Sequence, residues 1–326
     1  MLTTHARVAA ELPVGPPPAV VSVGVFDGVH LGHQAILAAN VARATTESAQ
    51  STVVTFGGHP KRLLLGHAPR TLTTLEHRLE LFQRAGIAHT VVLPFDEALR
   101  SLRAEDFART FLADGLAARS LVLGFDSKFG HDREGTPEAL GALGYAVQVV
   151  PEVLVDGRAV SSTAIREAVS LGDLAGAARM LGRPPAVFGE VVEGRHLGRE
   201  LGFPTANLDL HHELHPPAGV YATLVRCPQA PGEQARLLPS VTNIGHRPTV
   251  EEGPAAGSPG GTRPRLTIET HILDFSGELY GKHLEVLFVD SIRREQRFPS
   301  LDALAEQIGR DVDAARKLLS ARPTPS

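Results

Sequence analysis

Two histidines in the order H-x-G-H, His30 and His33, stand directly after the apolar run VVSVGVF and the turn residues Asp27 and Gly28. A strand that feeds through Gly28 and Gly32 into a helix beginning near Gln34 aims backbone N–H groups and both imidazoles at one point beyond the strand's end, where a polyphosphate would bind. Alone, the motif is of modest specificity and is more often a tight turn with two polar loop residues. Three further constellations accompany it. Gly57, Gly58, His59 and Pro60 follow TVVTF; Asp126 follows SLVLGF and opens Ser127-Lys128-Phe129-Gly130-His131-Asp132-Arg133-Glu134-Gly135; and Ser161-Ser162-Thr163-Ala164-Ile165-Arg166 follows the last strand-like run. The last has the form of a helix start, with hydroxyl caps and an arginine one turn later on the same face. It reads either as an N-cap with a surface arginine or as an anion site in which hydroxyls, N–H groups and a guanidinium converge on phosphate oxygens.

Histidines beside such a clamp suit nucleotidyl transfer. In-line attack on an α-phosphate needs charge stabilisation at the phosphorus and on the departing pyrophosphate. No standard phosphate loop competes: Gly277-Glu278-Leu279-Tyr280-Gly281-Lys282-His283 is a spacer short of the Walker pattern and has no Ser or Thr after its lysine, and no G-x-G-x-x-G fingerprint is present.

A second chemistry lies further along, in GEVVEGRHLGRELGFPTANL from Gly189 to Leu208. Pro204 fixes the local backbone, and Thr205 and Asn207, two apart, project to one face of an extended segment. A hydroxyl and an amide carbonyl are hard oxygen ligands of the kind magnesium accepts beside nucleotide phosphates. Asn243-Ile244-Gly245-His246-Arg247-Pro248-Thr249 and Glu269-Thr270-His271 follow. Strand alternation puts Glu269 and His271 on one face, so one of them is expected to enter a barrel mouth and accept a proton; an exposed glutamate on an edge strand is the competing reading. His211, His212 and His215 suggest a metal site, but Pro216 and Pro217 oppose the helix that would align them, and a solvated loop is favoured.

The elements that must position these groups fall into two regimes. From Ala19 to about Gly182, the runs VVSVGVF, TVVTF, TVVLPF, SLVLGF and AVQVV alternate with helical stretches from about His33 to Ala44, near Leu75 to Ala85 and near Ala104 to Leu116. That alternation predicts a doubly wound parallel α/β sheet, whose ligands sit beyond the carboxyl ends of the strands. After Arg183-Pro184-Pro185 the runs AVFGEVVEG, GVYATLVR, LLPSVTNIG, RLTIETHIL and HLEVLFV lack intervening helices and predict an antiparallel barrel or sandwich. Leu301, Leu304, Ile308, Val312, Ala315 and Leu319 recur at helical spacing and predict a closing helix from Ser300 to Leu319. Residues 251–264, rich in Gly, Pro and Ala, read as a surface loop. The expected domains are residues 1–183 and 186–326.

At 326 residues the chain suits two cores. With 43% hydrophobic and 21% charged residues it is globular, and a net charge of −4 gives no reason to expect nucleic acid. No apolar run approaches the length that spans a bilayer, and the amino terminus lacks a secretory pattern. One cysteine, Cys227, excludes an internal disulfide framework and fits a reducing compartment, so cytoplasmic residence is the default expectation. Homo-oligomerisation is left open.

In order along the chain, VGVFDGVHLGHQ, TFGGHP, GFDSKFGHDREG and SSTAIR resemble the adenylyltransferase module of the bacterial bifunctional riboflavin kinase/FMN adenylyltransferases, also called FAD synthetases. The half containing GFPTAN, Glu269, Leu279-Tyr280-Gly281 and Ile292-Arg293-Arg294-Glu295-Gln296-Arg297-Phe298 is similar to the riboflavin kinase module of the same family. The resemblance implies a nucleotidyltransferase-type sheet followed by a small barrel. It also implies a cytoplasmic enzyme that uses Mg2+ and ATP to convert riboflavin to FMN, and FMN plus ATP to FAD and pyrophosphate.

By the same resemblance, ATP and its phosphates contact Gly24, Phe26, Gly28, His30, His33, Ser162, Thr163 and Arg166 in the first module, and Gly198, Thr205 and Asn207 in the second. Flavin falls to His59, Pro60, Asp126, Arg293 and Phe298, the metal to Thr205 and Asn207, and the base that activates the riboflavin 5′-hydroxyl to Glu269. Two positions depart from the family's pattern: Ser127 replaces a usual aromatic and Gly58 a usual proline, which leaves a weakened adenylyltransferase as one alternative and a non-catalytic flavin sensor as another.

Overall fold

A computed structural model of the chain describes residues 1–58, 70–194, 197–209, 213–227, 236–247 and 265–321. They form two compact units, residues 1–165 with 180–182, and residues 166–179 with 183–326.

The first unit is built on six parallel strands, β1 (Leu2–His5), β2 (Ala19–Val23), β3 (Gln50–Phe56), β4 (His89–Leu93), β5 (Ala118–Gly124) and β6 (Ala146–Val150), in the order β1-β4-β3-β2-β5-β6. The apolar runs of the inner strands β2, β3, β4 and β5 are near-continuous because both of their faces are covered, whereas the edge strands β1 and β6 are largely exposed. On one face Val20, Val53 and Val122 pack under helix α1 (Leu31–Thr46) and helix α2 (Leu75–Arg84). On the other, Val21, Val23, Val54, Leu121 and Leu123 meet Phe107, Phe111 and Leu112. The last three come from a helix over Ala104–Phe107 that runs on as a π-helical stretch, Ala108–Asp114, where one regular helix is expected from the apolar spacing. β1 was not anticipated: four residues too short for a clear pattern become a strand by adding to the edge of β4.

From β2 the chain steps through β3 to β4 on one side, then returns to place β5 and β6 on the other. The direction therefore reverses between β2 and β5, and the crevice beyond the carboxyl ends of those two strands is where such a sheet accepts a ligand.

A short hairpin of β7 (Leu154–Val155) and β8 (Arg158–Ala159) precedes helices α3 (Ser162–Leu171) and α4 (Leu174–Leu181). The second unit is a closed antiparallel barrel of β9 (Ala186–Val192), β10 (Ala206–Asp209), β11 (Gly219–Arg226), β12 (Leu237–Arg247), β13 (Arg265–Ile272) and β14 (His283–Arg294), ordered β10-β13-β12-β11-β14-β9. Its interior is filled by Val187, Val191, Leu208, Tyr221, Val225, Ile244, Ile268, Val286 and Phe288, with Leu174 of α4 in the same cluster. A hydroxyl ladder is buried with them: Thr223 bonds Ser240 at 2.7 Å and Thr242 at 2.8 Å, and Thr242 bonds Thr270 at 2.9 Å. Outward-facing Val220, Ala222 and Val241 are covered by Val312, Ala315 and Leu319 of helix α5 (Leu301–Ser320), whose first turn is capped by Ser300.

Candidate active sites

The loop after β2 is held in a conformation that free chains avoid. Phe26 and Val29 have φ of 53° and 40°, and Gly28 has φ of 83°. Each left-handed non-glycine residue costs on the order of 1–3 kcal/mol and persists only where its surroundings impose it. The surroundings here are visible. Phe26 and Val29 are buried against Leu81 and Phe82 of α2. The Asp27 carboxylate, 4% exposed, accepts hydrogen bonds from the backbone of Leu72 at 2.9 Å and of Thr73 at 3.1 Å. Gly28 N–H donates to Thr73 Oγ1 at 2.9 Å. A Cβ on Gly28 would lie 2.7 Å from Leu72, so only glycine satisfies both the space and the φ.

This loop delivers the two histidines differently from the expectation of a helix that starts near Gln34. α1 begins at Leu31, because His30 is itself the cap: its Nδ1 accepts the His33 backbone N–H at 3.4 Å. The proton of neutral His30 therefore sits on Nε2. The two rings stack at 3.6 Å, and the Phe26 ring meets His33 edge-on at 5.2 Å. Burial pushes the His33 imidazole well below its ordinary range, and the neighbouring His30 and Arg78 push the same way. His33 is neutral at pH 7, and its Nδ1 is buried with no hydrogen-bond partner among the described residues.

Two more of the expected groups share the neighbourhood. Ser162 Oγ donates to the Asp27 carbonyl at 3.0 Å, which brings the start of α3 to the loop. The cap of α3 is Ser161, whose Oγ accepts the Ala164 N–H at 3.2 Å. Thr163 is exposed on the first turn, and Arg166 follows one turn along the helix. Asp126 is exposed in the turn that closes β5, where Ser127 N–H bonds the Gly124 carbonyl at 3.0 Å. Gly24 lies under the Phe26 ring, where a Cβ would come within 3.0 Å of it. His59 and Pro60 lie outside the described residues.

In the barrel, strand pairing makes a row across three strands: Asn207 of β10 stands opposite Glu269 of β13, and Glu269 opposite Asn243 of β12. All three share one face. That face is the outer one. Ile268, Thr270 and Ile272 turn inward and are almost fully buried, so Glu269 and His271 lie on the opposite side of β13, and neither enters the barrel mouth as expected. His271 instead bonds the Pro204 carbonyl through Nδ1 at 2.8 Å, with its ring edge-on to Phe203 at 5.6 Å, fixing the segment that carries Thr205.

Glycines press against both oxygen-bearing residues: a Cβ on Gly194 would lie 2.2 Å from Asn207 Nδ2, and one on Gly198 would lie 3.2 Å from Thr205 Oγ1. Thr205 and Asn207 line a cavity of about 320 Å³ with Thr270, Phe275, Glu278 and Tyr280. The segment 277–280, set aside as a failed phosphate loop, thus walls this cavity; its turn glycines between two strand runs are the signal for it. Among the described residues no three His, Cys, Asp or Glu side chains gather to hold a metal ion. Two neutral oxygens in a glycine-walled cradle instead fit a hard cation that arrives with phosphates.

Arg293 and Phe298 do not line the cavity. Arg293 makes a two-pronged ion pair with buried Asp311 of α5, at 3.0 and 2.8 Å, and stacks its guanidinium over Phe298 at 5.5 Å. Those contacts tie α5 to β14. Asp27 and Arg78 are the loop-holding residues that motif reading missed; Asp27 stands inside the first motif, whereas Arg78 is legible only as one polar position of an amphipathic helix.

Residues 14–164 match the FAD synthetase family and residues 181–319 the riboflavin kinase family. The chain is 39% identical over 303 residues to a bifunctional riboflavin kinase/FMN adenylyltransferase of Pseudomonas fluorescens, covering 92% of each chain. It is 35% identical over 305 residues to the protein of that description from Haemophilus influenzae, covering 92% of this chain and 94% of the relative. A crystal structure titled macrolide-efflux protein, from Streptococcus pneumoniae, superposes with a TM-score of 0.79 at 29% identity, covering 97% of this chain and 99% of that one. Among the described residues no helix is long and apolar enough to cross a membrane.

Proposed function

The chain belongs to the family of bifunctional riboflavin kinase/FMN adenylyltransferases, and from that premise we propose how its residues divide the two reactions. The barrel transfers the γ-phosphoryl group of ATP to riboflavin. Glu269 accepts the proton of the 5′-hydroxyl, the freed oxygen attacks the γ-phosphorus, and FMN and ADP leave. Asn207, directly opposite Glu269 on the same face, puts the phosphate-facing amide beside the base. That juxtaposition carries the reading. Thr205 and Asn207 would hold Mg2+ beside the phosphates, where the cation neutralises charge on the transferred group.

The α/β unit then joins AMP to FMN. A phosphate oxygen of FMN attacks the α-phosphorus of ATP, and the bond to pyrophosphate breaks. His30 Nε2–H, neutral His33 and the backbone N–H groups at the start of α1 face the phosphates, and Ser162, Thr163 and Arg166 bind the nucleotide. Asp126, beyond β5 at the point where the strand order reverses, holds the flavin substrate. The enzyme works in the cytoplasm, a reading supported by its single cysteine.

The test is to incubate the purified protein with riboflavin, ATP and magnesium and to separate the flavins. FMN should appear first and FAD after it. Riboflavin recovered unchanged overturns the kinase assignment, and FMN that never becomes FAD overturns the adenylyltransferase assignment.

A further inference from the structure

We propose that Arg78 is a positioning residue for adenylyl transfer, clamping the carboxyl ends of β2 and β3 so that the left-handed loop presents His33 to the phosphates. The proposal rests on the reading that the His30–His33 loop faces ATP. Arg78 projects from the first turn of α2 and is 5% exposed, an unusual place for a guanidinium. Its Nη1 donates to the Val25 carbonyl and its Nη2 to the Phe56 carbonyl at 3.1 Å. Val25 immediately precedes Phe26, whose φ is 53°, and Phe56 ends β3. One planar fork therefore binds two carbonyls far apart in sequence, a task that a lysine ammonium cannot copy.

The link to His33 is direct. Holding the Val25 carbonyl sets the peptide plane from which Phe26 turns, and the Phe26 ring packs on both His33 and Phe82. If the fork is lost, the left-handed residue can relax, and His33 loses its edge contact.

Charge adds a second consequence. His33 is faced by His30 from its own loop and by Arg78 from α2, and both oppose its protonation. Arg78 in turn is faced by Asp27 of the loop and Glu76 of its own helix, which support its charge against burial. The guanidinium stays charged throughout the working pH range. It therefore adds to burial, the largest cause, and to His30 in opposing protonation of the ring as the medium becomes acidic.

The experiment compares full-length R78M, R78K and H33A with the parent, following FAD formation from FMN and ATP from about pH 5 to 9, with FMN formation from riboflavin as the control in the same samples. R78M should lower kcat for FAD formation by about 10-fold or more, as small displacements of catalytic groups do, and should move the acid limb of the profile to higher pH. R78K keeps the charge but loses the fork, so its acid limb should stay in place while its rate falls several-fold. FMN formation should be unchanged in both.

An R78M rate within twofold of the parent overturns the proposal, and so does a loss with an unmoved acid limb. Should R78M fail to fold, R78K decides alone: a parental rate overturns the clamp, and a reduced rate with an unmoved limb supports it. H33A separates the premise. Parental FAD formation by H33A removes the reading of the loop itself, whereas loss in H33A with parental Arg78 variants removes only the role of Arg78.

Discussion

His30 and His33 lie face to face, with ring centroids 3.6 Å apart and planes 18° from parallel. Two imidazolium rings would repel strongly at that separation, so the stack is stable only while at least one ring is neutral. Burial above all, then the neighbouring His30 and Arg78, hold the His33 ring neutral. A loop proposed to meet the negative charge of a triphosphate is thus assembled around a ring that carries none, and offers hydrogen-bond donors in place of a titrating cation.

The first expectation is that His33 does not titrate between pH 6 and 8. Its folded pKa lies below the ordinary 6.5, so below that value the unfolded chain binds more protons than the folded one. Stability is therefore full above that range and falls as the pH drops through it toward the folded pKa. Imidazole resonances followed by NMR should show one ring unchanged across neutrality, and H33Q should flatten the acid side of the stability curve. A His33 titration midpoint near 6.5 is the opposite result.

The base is tested by a crossed outcome. E269Q keeps size and hydrogen bonding but cannot take the hydroxyl proton, and loss of a general base costs about 10²–10⁴-fold. FMN formation should fall by that factor while supplied FMN still becomes FAD at the parental rate. Near-normal FMN formation by E269Q removes Glu269 from the role.

Gly194→Ala should act on the same module by a different route. Its Cβ would lie 2.2 Å from Asn207 Nδ2, and the side chain must move to accommodate it. A displacement near 1 Å in a positioned group costs on the order of 10²-fold. The loss should appear in FMN formation and spare FAD formation from FMN; unchanged kinetics would show that Asn207 is not held by this contact.

Truncation should reveal where the second unit begins. Leu174, 6% exposed, sits in the barrel's core cluster, and residues 166–179 belong to that unit. A fragment from residue 166 keeps this burial and one from residue 186 loses it. Burying a leucine contributes roughly 2–3 kcal/mol, so the shorter fragment should melt about 10 °C lower. Equal melting temperatures would separate the 166–179 segment from the barrel.

What the sequence determined by itself was the pattern of layers and the location of the chemistry. Parallel strands buried on both faces read as unbroken apolar runs, so β2 to β5 stand out, and polar motifs directly after such runs sit at strand ends whatever the rest of the fold does. The cross-strand partnership of Glu269 with Asn207 was not legible: a two-residue period says that Glu269 and His271 share a face, but which face is outside depends on register with β10 and β12.

Only the tertiary structure decided that Arg293 serves Asp311, that His30 caps the helix its own motif begins, and that Asp27 and Arg78 hold the strained loop. Each of those decisions depends on a hydrogen bond or ion pair that forms when an element distant in sequence, or the loop's own turn, comes within about 3 Å, a distance that residue spacing along the chain does not encode.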